Sequence, residues 1–236
     1  MRYRNLGKTG VRISEVGLGG WSIGGDSYGP TDDRESLAAI RRAYEFGVTF
    51  YDTADMYGNG RSEQLIAEAF RGHRREVFIA TKIGYDFYAG GRDKNFSPDY
   101  LIFAAEQSLK RLETDRIDLL QLHTPSLEVL RQGEVFEIMD QLCEAGKIRY
   151  YCVSLGHSTP TEAVDIVIHR SHAATLQIAY NVLRQDQLAS ISEWIRESGI
   201  GIIARSPLEY GLLTGKYSKD AVFHPEDHRA NRWTRE

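Results

Sequence analysis

Hydrophobic and polar positions follow one order along this chain: a short apolar run rich in β-branched residues, a turn, then a stretch with helical spacing. The segments VGLGGW, VTFYD, VFIATK, IDLLQLH, YYCVS, ATLQIAY and GIGIIA are typical of strands. Between them, apolar residues recur every three or four positions, which predicts amphipathic helices. A regular alternation of strand and helix predicts right-handed βαβ units and a parallel sheet.

The ends of several elements carry signals of their own. The opening RYRNLGKTGVRISEV alternates around the turn KTG and predicts an N-terminal β-hairpin. Asp32 is a predicted helix N-cap, and Ser97 followed by Pro98 is typical of a helix start. A single helix is predicted from about Leu127 to Ala145.

Seven strands suit a closed barrel better than an open sheet. We therefore predict an α/β fold, a (β/α)8 TIM barrel with an N-terminal β-hairpin, as one domain over residues 1–236. An open doubly wound sheet is the alternative, but no G-x-G-x-x-G motif opens the first helix. The eighth unit is missing, because the sequence after Leu213 is polar and charged. We expect these residues to be part of a longer polypeptide; the other explanation is that another segment or subunit fills the gap.

Composition narrows the functional classes. Lys and Arg total 29 against 33 Asp and Glu, a formal net charge of −4, and no basic block indicates a nucleic-acid surface. The longest stretch without these four residue types, Ser171–Leu183, is too short and too polar to span a bilayer. Cys143 and Cys152 match neither a redox pair nor a metal site. The N-terminal sequence shows no secretory signal. These features predict a cytoplasmic protein that binds neither nucleic acid nor membrane.

Ionisable side chains end three successive predicted strands. Asp52 ends the second strand, Lys82 the third and His123 the fourth, and Tyr57 follows Asp52 in the adjoining loop. In a TIM barrel the active site lies at the C-terminal ends of the strands. Each residue alone is more often a cap, a solvated end or a packing residue. Four at one end of the barrel predict a catalytic group.

These four residues suggest proton transfer to a carbonyl oxygen. A tyrosine, with a reference pKa near ~10, is a poor acid at neutral pH unless a cation favours its phenolate. Lys82 would supply that cation, Asp52 would hold Lys82 in place, and His123 would orient the carbonyl oxygen. Protonation of this oxygen is half of a reduction, and the other half would be hydride from an organic cofactor.

Together these motifs resemble the aldo-keto reductase family of NADPH-dependent oxidoreductases. The resemblance extends from residue 1 to about residue 217 and includes LGKTGVRISEVGLGGW, YDTADMYGNGRSEQLIAEAF, SLKRLETDRIDLLQLHTP and ARSPLEYGLLTGKY. It implies a catalytic tetrad of Asp52, Tyr57, Lys82 and His123, with Tyr57 as the general acid. It also implies NADPH, or NADH, as cofactor.

The resemblance further implies a set of cofactor-binding residues. Those near the nicotinamide and the substrate are Gly20, Trp21 and Asp52, and those at the carboxamide are Ser154 and Gln177. Those in the loop over the pyrophosphate and ribose are Arg205, Ser206, Pro207, Leu208, Gly211, Leu212, Thr214 and Lys216.

Two positions depart from the usual pattern of the family. Leu155 stands where Asn often follows the serine, and Arg205 stands where an aromatic residue often precedes Ser-Pro. A guanidinium plane can also stack on a ring. The family segment that holds the adenosine 2′-phosphate is absent, so we expect weak NADPH binding with poor discrimination against NADH.

Three functions are compatible with these residues. The first, which we favour, is reduction of a small-molecule aldehyde or ketone with NADPH. The second is a Schiff-base lyase that uses Lys82. The third is a non-catalytic nucleotide-binding regulatory subunit that resembles the channel β-subunits of this family. The loop GYDFYAGGRDKNFSP allows sugars and aromatic carbonyls equally, so the sequence does not select a substrate.

Overall fold

A computed structural model describes residues 1–88, 90–157 and 159–233. In chain order the strands are β1 (Tyr3–Asn5), β2 (Arg12–Ser14), β3 (Leu18–Gly19), β4 (Phe50–Asp52), β5 (Phe78–Ile83), β6 (Tyr85–Asp86), β7 (Asp93–Lys94), β8 (Ile117–His123), β9 (Ile148–Ser154), β10 (Thr175–Ala179) and β11 (Gly201–Arg205). Seven of them form one parallel sheet, in the order β3-β4-β5-β8-β9-β10-β11. Two antiparallel hairpins, β1–β2 and β6–β7, lie outside it.

Helices connect the strands of this sheet. They are α1 (Asp33–Glu45), α2 (Arg61–Ala69), α3 (Pro98–Arg111), α4 (Leu127–Gln132), α5 (Glu134–Glu144), α6 (Thr161–Arg170), α7 (Asp186–Ser198) and α8 (Arg229–Arg232). At least one helix lies between every two successive strands of the parallel sheet. The predicted α/β fold of the (β/α)8 barrel type, with seven strands and an N-terminal hairpin, is confirmed. The prediction of one domain over residues 1–236 stays a prediction, and residues 89, 158 and 234–236 lie outside the described ranges.

Helix starts follow from local hydrogen bonding. The Asp32 carboxylate caps α1 by accepting from the backbone N–H groups of Arg34 at 2.7 Å and Glu35 at 3.1 Å. The start of α3 at Pro98 is confirmed, but the Ser97 hydroxyl is bound to the side chain of a neighbouring asparagine and does not cap the helix.

The single helix predicted from Leu127 to Ala145 is wrong. Gly133 lies between α4 and α5 with a φ of 85°, a left-handed conformation that ends the first helix. The apolar positions keep their helical spacing on both sides of this glycine, so the sequence pattern continues through the break. The hairpin β6–β7, in the loop after β5, is a further element that the pattern did not indicate.

Apolar side chains fill one end of the barrel interior. Phe50, Phe78 and Ile203 of the parallel strands form a buried cluster there with Leu6 and Ile13 of the N-terminal hairpin. A larger apolar cluster packs the outer face of the sheet against the helices. The hairpin therefore closes the N-terminal end of the barrel, and polar side chains gather at the opposite end.

Over the described residues, β3 and β11 each pair on one side only, so the sheet has two edges. The turn after β1 reaches the β11 edge: a Cβ atom on Gly7 would lie 2.5 Å from the backbone nitrogen of Gly201. Within the same residues, no helix combines the length and apolar character needed to cross a lipid bilayer. They also contain no group of three or more His, Cys, Asp or Glu placed to hold a metal ion.

Candidate active site

The structure brings the four predicted catalytic residues together at the C-terminal end of the sheet. Asp52 ends β4, Lys82 lies one residue before the end of β5, and His123 ends β8. The Lys82 ammonium is 2.7 Å from Asp52 Oδ2 and 5.0 Å from the centre of the Tyr57 ring. The Tyr57 and His123 rings meet edge to face, 6.0 Å between centres. These four side chains form one contiguous group, whereas their roles stay predictions.

Lys82 is a buried cation. Its side chain is 2% exposed, and its ammonium donates to Asp52 and to the carbonyl oxygen of Thr53 at 2.9 Å. Burial alone would lower the pKa of Lys82, but the Asp52 carboxylate and the Tyr57 hydroxyl outweigh it and the pKa is raised. Lys82 is therefore charged at neutral pH.

Tyr57 is protonated at neutral pH. Burial raises the pKa of the Tyr57 hydroxyl above its usual value, while the positive charge of Lys82 acts in the opposite direction. The predicted cation, Lys82, is thus present, but burial has the larger effect on the pKa of Tyr57. The resulting group is a proton donor whose conjugate base lies beside an ammonium.

His123 is a neutral imidazole at neutral pH. Burial lowers the pKa of His123 well below its usual value, and three nearby cations lower it further. These cations are Lys82, Arg205 and Lys94. The ring also packs edge to face on Tyr85 at 4.9 Å between centres. A neutral imidazole can donate one hydrogen bond without adding a charge to the site.

The second oxygen of Asp52 binds two amides. Asp52 Oδ1 accepts from the side-chain nitrogens of Gln121 at 2.6 Å and Gln177 at 2.8 Å. Gln121 was not among the predicted site residues. Its signal in the sequence is a lone amide in the apolar strand IDLLQLH, two residues before His123 and therefore on the same face of β8.

The predicted carboxamide-binding residues lie level with His123. His123 pairs with Ser154, and Ser154 with Gln177, across the ladders of β8, β9 and β10. The Ser154 hydroxyl donates to Gln177 Oε1 at 3.2 Å, and both side chains are buried. Leu155, the first departure from the family pattern, is a buried residue of the outer apolar core.

Gly20 and Trp21 border the same end of the barrel. The Gly20 N–H donates to the Asp52 carbonyl oxygen at 2.6 Å. A Cβ atom on Gly20 would lie 2.5 Å from the Ser62 hydroxyl oxygen, which accounts for glycine at this position. The Trp21 ring lies 6.2 Å from the Tyr57 ring, centre to centre. Both predicted residues are therefore adjacent to the four predicted catalytic residues.

The loop after β11 is held in an unusual conformation. Ser206, Glu209 and Tyr210 have φ angles of 55°, 42° and 57°. Such left-handed conformations are costly for residues with a side chain and concentrate at functional sites. The buried Glu209 carboxylate holds the loop by accepting from Asn181 at 2.7 Å and from both sides of the Arg184 fork.

The predicted cofactor residues of this loop are accessible at its surface. The exposed residues of this set are Pro207, Leu208, Leu212, Thr214 and Lys216. Gly211 is half-buried and has a φ of 97°. Arg205, the second departure, donates to the Leu155 carbonyl oxygen at 2.9 Å, so its guanidinium is anchored across the end of β9. The loop thus presents backbone groups, apolar side chains and one lysine ammonium.

A segment from the charged tail lies over the mouth of the barrel. The His228 ring packs 4.7 Å from both Trp21 and Tyr28, centre to centre. Asp227 pairs with Tyr28 in an isolated bridge and binds the Arg229 guanidinium at 2.6 Å. No strand was predicted after Leu213, and the described residues from 214 to 233 contain none.

A buried lysine–carboxylate pair beside a tyrosine thus lies at the C-terminal end of a parallel sheet of the barrel type, where enzymes of this fold have their active sites. The model of the aldo/keto reductase family matches residues 15–235, and the chain belongs to this family. Its relatives include aldo-keto reductase YhdN from Bacillus subtilis (strain 168), with 35% identity over 97% of this chain and 69% of that protein. A probable voltage-gated potassium channel subunit beta from Arabidopsis thaliana is 31% identical over 97% of this chain and 70% of that protein.

Solved structures agree with this assignment. The holo form of aldo-keto reductase AKR11C1 from Bacillus halodurans has a TM-score of 0.82 and 30% identity, covering 95% of this chain and 72% of that one. An aldo/keto reductase from Klebsiella pneumoniae, crystallised with NADP and acetate, has a TM-score of 0.73 and 28% identity, covering 91% of this chain and 72% of that one.

Proposed function

We propose that this protein reduces an aldehyde or ketone to an alcohol, with hydride from NADPH and a proton from Tyr57. The observation that carries the proposal is the placement of Tyr57 against the buried pair of Lys82 and Asp52, with a neutral His123 at its edge. General acid catalysis of this kind contributes typically ~10²–10⁴-fold to a rate.

Each of the four residues has a separate part in the proposed reaction. The Tyr57 hydroxyl gives its proton to the carbonyl oxygen, and the Lys82 ammonium stabilises the phenolate that forms. Asp52 keeps Lys82 charged and in place. His123 offers a hydrogen bond to the carbonyl oxygen, which orients the substrate and polarises its carbonyl group.

The residues around this group fit a nicotinamide nucleotide. Ser154 and Gln177 present a hydroxyl and an amide, the donors and acceptors that a carboxamide requires, level with His123. The exposed Leu208 and Leu212 of the strained loop supply apolar surface, and Lys216 a charge, for the ribose and phosphate groups. When bound, NADPH supplies the hydride. The Klebsiella pneumoniae relative crystallised with NADP supports this choice of cofactor.

The Schiff-base alternative fits the geometry less well. A lysine must lose its proton before its amine can attack a carbonyl carbon. Lys82 instead has a raised pKa, because Asp52 and Tyr57 favour the ammonium over the opposing effect of burial. Borohydride is therefore expected to trap no substrate on Lys82.

A nucleotide-binding regulatory role is the second candidate, favoured by the similarity to a potassium channel subunit beta. A reductase consumes NADPH when an aldehyde is present, whereas a regulatory subunit binds NADPH without consuming it. The decisive experiment measures NADPH binding by protein fluorescence and NADPH consumption with a panel of aliphatic, aromatic and sugar aldehydes. Aldehyde-dependent consumption supports the reductase. Binding of NADPH without turnover across the panel would overturn it in favour of the regulatory role.

A further inference from the structure

We infer that Gln121 is a positioning residue of this site. It holds the Asp52 carboxylate in place and thereby sets how strongly the Lys82 ammonium favours the Tyr57 phenolate. The inference rests on the proposed function, in which Tyr57 is the proton donor. It concerns a residue outside the four that the sequence singled out.

Strand register places Gln121 beside Lys82. The two residues are direct partners in the parallel ladder of β5 and β8, so their side chains enter the barrel at the same level. Gln121 Nε2 lies 2.6 Å from Asp52 Oδ1, while the Lys82 ammonium lies 2.7 Å from Asp52 Oδ2. The carboxylate is therefore held from two sides, by an amide and by a cation.

Packing alone does not account for a glutamine at position 121. Its side chain is fully buried, and its Oε1 atom has no hydrogen-bond partner among the described residues. A buried acceptor without a partner is destabilising, and a leucine of similar size avoids that cost. Leucine is also the residue at three other positions of this strand. The hydrogen bond that the amide donates to Asp52 is therefore the feature that a leucine at this position lacks.

Gln177 donates to the same oxygen, but it has other partners. It also accepts a hydrogen bond from Ser154, and we propose that both side chains bind the cofactor carboxamide. Gln121 hydrogen bonds through its side chain to Asp52 alone among the described residues. Gln121 can thus hold the carboxylate whichever partner Gln177 takes.

Loss of this donor changes the electrostatics of the tetrad in a defined direction. The amide N–H compensates part of the negative charge on Asp52. Without it, Asp52 attracts Lys82 more strongly, and Lys82 favours the Tyr57 phenolate less. The pKa of Tyr57 then rises further, and proton donation becomes slower.

The test compares Gln121→Leu with wild type in the aldehyde reduction assay. We expect kcat to fall roughly tenfold, with the KM for NADPH within about twofold, because a hydrogen bond to a charged group is lost away from the cofactor loop. The alkaline limb of the pH–rate profile should move to higher pH. Gln121→Met also lacks the donor and should give the same changes as Gln121→Leu. It replaces the leucine variant in the test if that variant folds poorly.

Thr175→Val is the matched control. Thr175 is buried at the same level of the barrel, since both it and Gln121 pair with Cys152, and it has no hydrogen bond to Asp52. This variant should keep the wild-type kcat and pH profile.

Two results would overturn the inference. One is a wild-type kcat and an unmoved alkaline limb in both Gln121 variants. The other is a lower melting temperature with kcat and NADPH affinity reduced alike, which is the signature of a structural role. Tyr57→Phe separates the two hypotheses: if it remains active, the proposed function fails, whereas an inactive Tyr57→Phe beside normal Gln121 variants refutes only the positioning role.

Discussion

The Lys82 ammonium lies 5.0 Å from the centre of the Tyr57 ring, while its own hydrogen bonds go to Asp52 and to the Thr53 carbonyl oxygen. These two acceptors hold the cation beside the tyrosine, and the Tyr57 hydroxyl itself interacts with it. In the proposed reaction this cation needs no rearrangement, because the charge that is to stabilise the Tyr57 phenolate is already in place. Such preorganised charge is usually a large contribution to catalysis.

Tyr57→Phe should abolish measurable carbonyl reduction while NADPH binding survives. The substitution removes the proton donor and leaves the ring that packs against Trp21 and His123. The expected loss in kcat/KM is at least ~10²-fold. Steady-state assays and NADPH titration of the same preparation check both parts. A variant that keeps more than about a tenth of wild-type kcat/KM, a loss below ~1.4 kcal/mol, refutes the role of Tyr57.

Lys82→Met should lose activity and stability together. The substitution leaves the Asp52 carboxylate in a largely buried site without its cation, which typically costs about 3 kcal/mol of unfolding free energy. Lys147→Met is the control, because Lys147 forms an ion pair with Glu106 in which both side chains are about 40% exposed. Exposed pairs contribute roughly 0–1 kcal/mol. Denaturant unfolding of both variants gives the comparison, and equal unfolding midpoints for Lys82→Met and wild type would contradict the prediction.

Carbonyl reduction should be independent of pH across the neutral range. The pKa of His123 is lowered well below its usual value by burial, and the pKa of Tyr57 is raised by burial. Both groups therefore keep their reactive protonation state near neutrality, and on the alkaline side kcat/KM falls where Tyr57 ionises. The pH profile of kcat/KM provides the measurement. An inflection between about pH 6 and 8 would show that one of these assignments is wrong.

Asp55 should make the protein less stable as the pH rises. Its side chain is fully buried, and burial, with the negative charge of Glu63, raises its pKa well above the usual value. From about pH 4 upward the unfolded chain releases this proton while the folded protein retains it, so stability falls until the pH passes the folded-state pKa.

Asp55→Asn tests this dependence because it keeps the shape of the neutral acid. The variant should unfold at a higher denaturant concentration than wild type at neutral pH, and its midpoint should vary less with pH. Asp115→Asn, at an exposed position, is the control and should keep the wild-type dependence. Parallel pH curves for wild type and Asp55→Asn would exclude Asp55 as the source.

Much of the fold, and the gathering of the four proposed catalytic residues at one end of the barrel, could be predicted from the sequence. Parallel strands buried on both faces appear as short apolar runs, and the residues that end them meet at one end of a barrel. Asp52, Lys82 and His123 follow from that rule alone. Tyr57 can be added because it lies in the loop directly after the strand that ends at Asp52.

Other features depend on contacts that a linear pattern does not contain. The break at Gly133 is a backbone conformation within a continuous helical spacing. The role of Gln121 depends on a carboxylate two strands away in the sheet, and the packing of His228 on Trp21 joins opposite ends of the chain. Burial of Tyr57 outweighs the effect of Lys82 on its pKa, which only the three-dimensional environment shows.

The close approach of Gly7 to Gly201 has a consequence for the order of folding. The hydrogen bond between Lys8 and Ser198 beside it joins residues 190 positions apart. Leu6 and Ile13 close the barrel interior against Ile203, so this apolar cluster is complete only when β11 has been synthesised and has docked. Contacts of such long sequence separation form slowly, because a large loop must close first. The N-terminal hairpin, although it precedes the other barrel strands in the sequence, is thus among the last elements to reach its native environment.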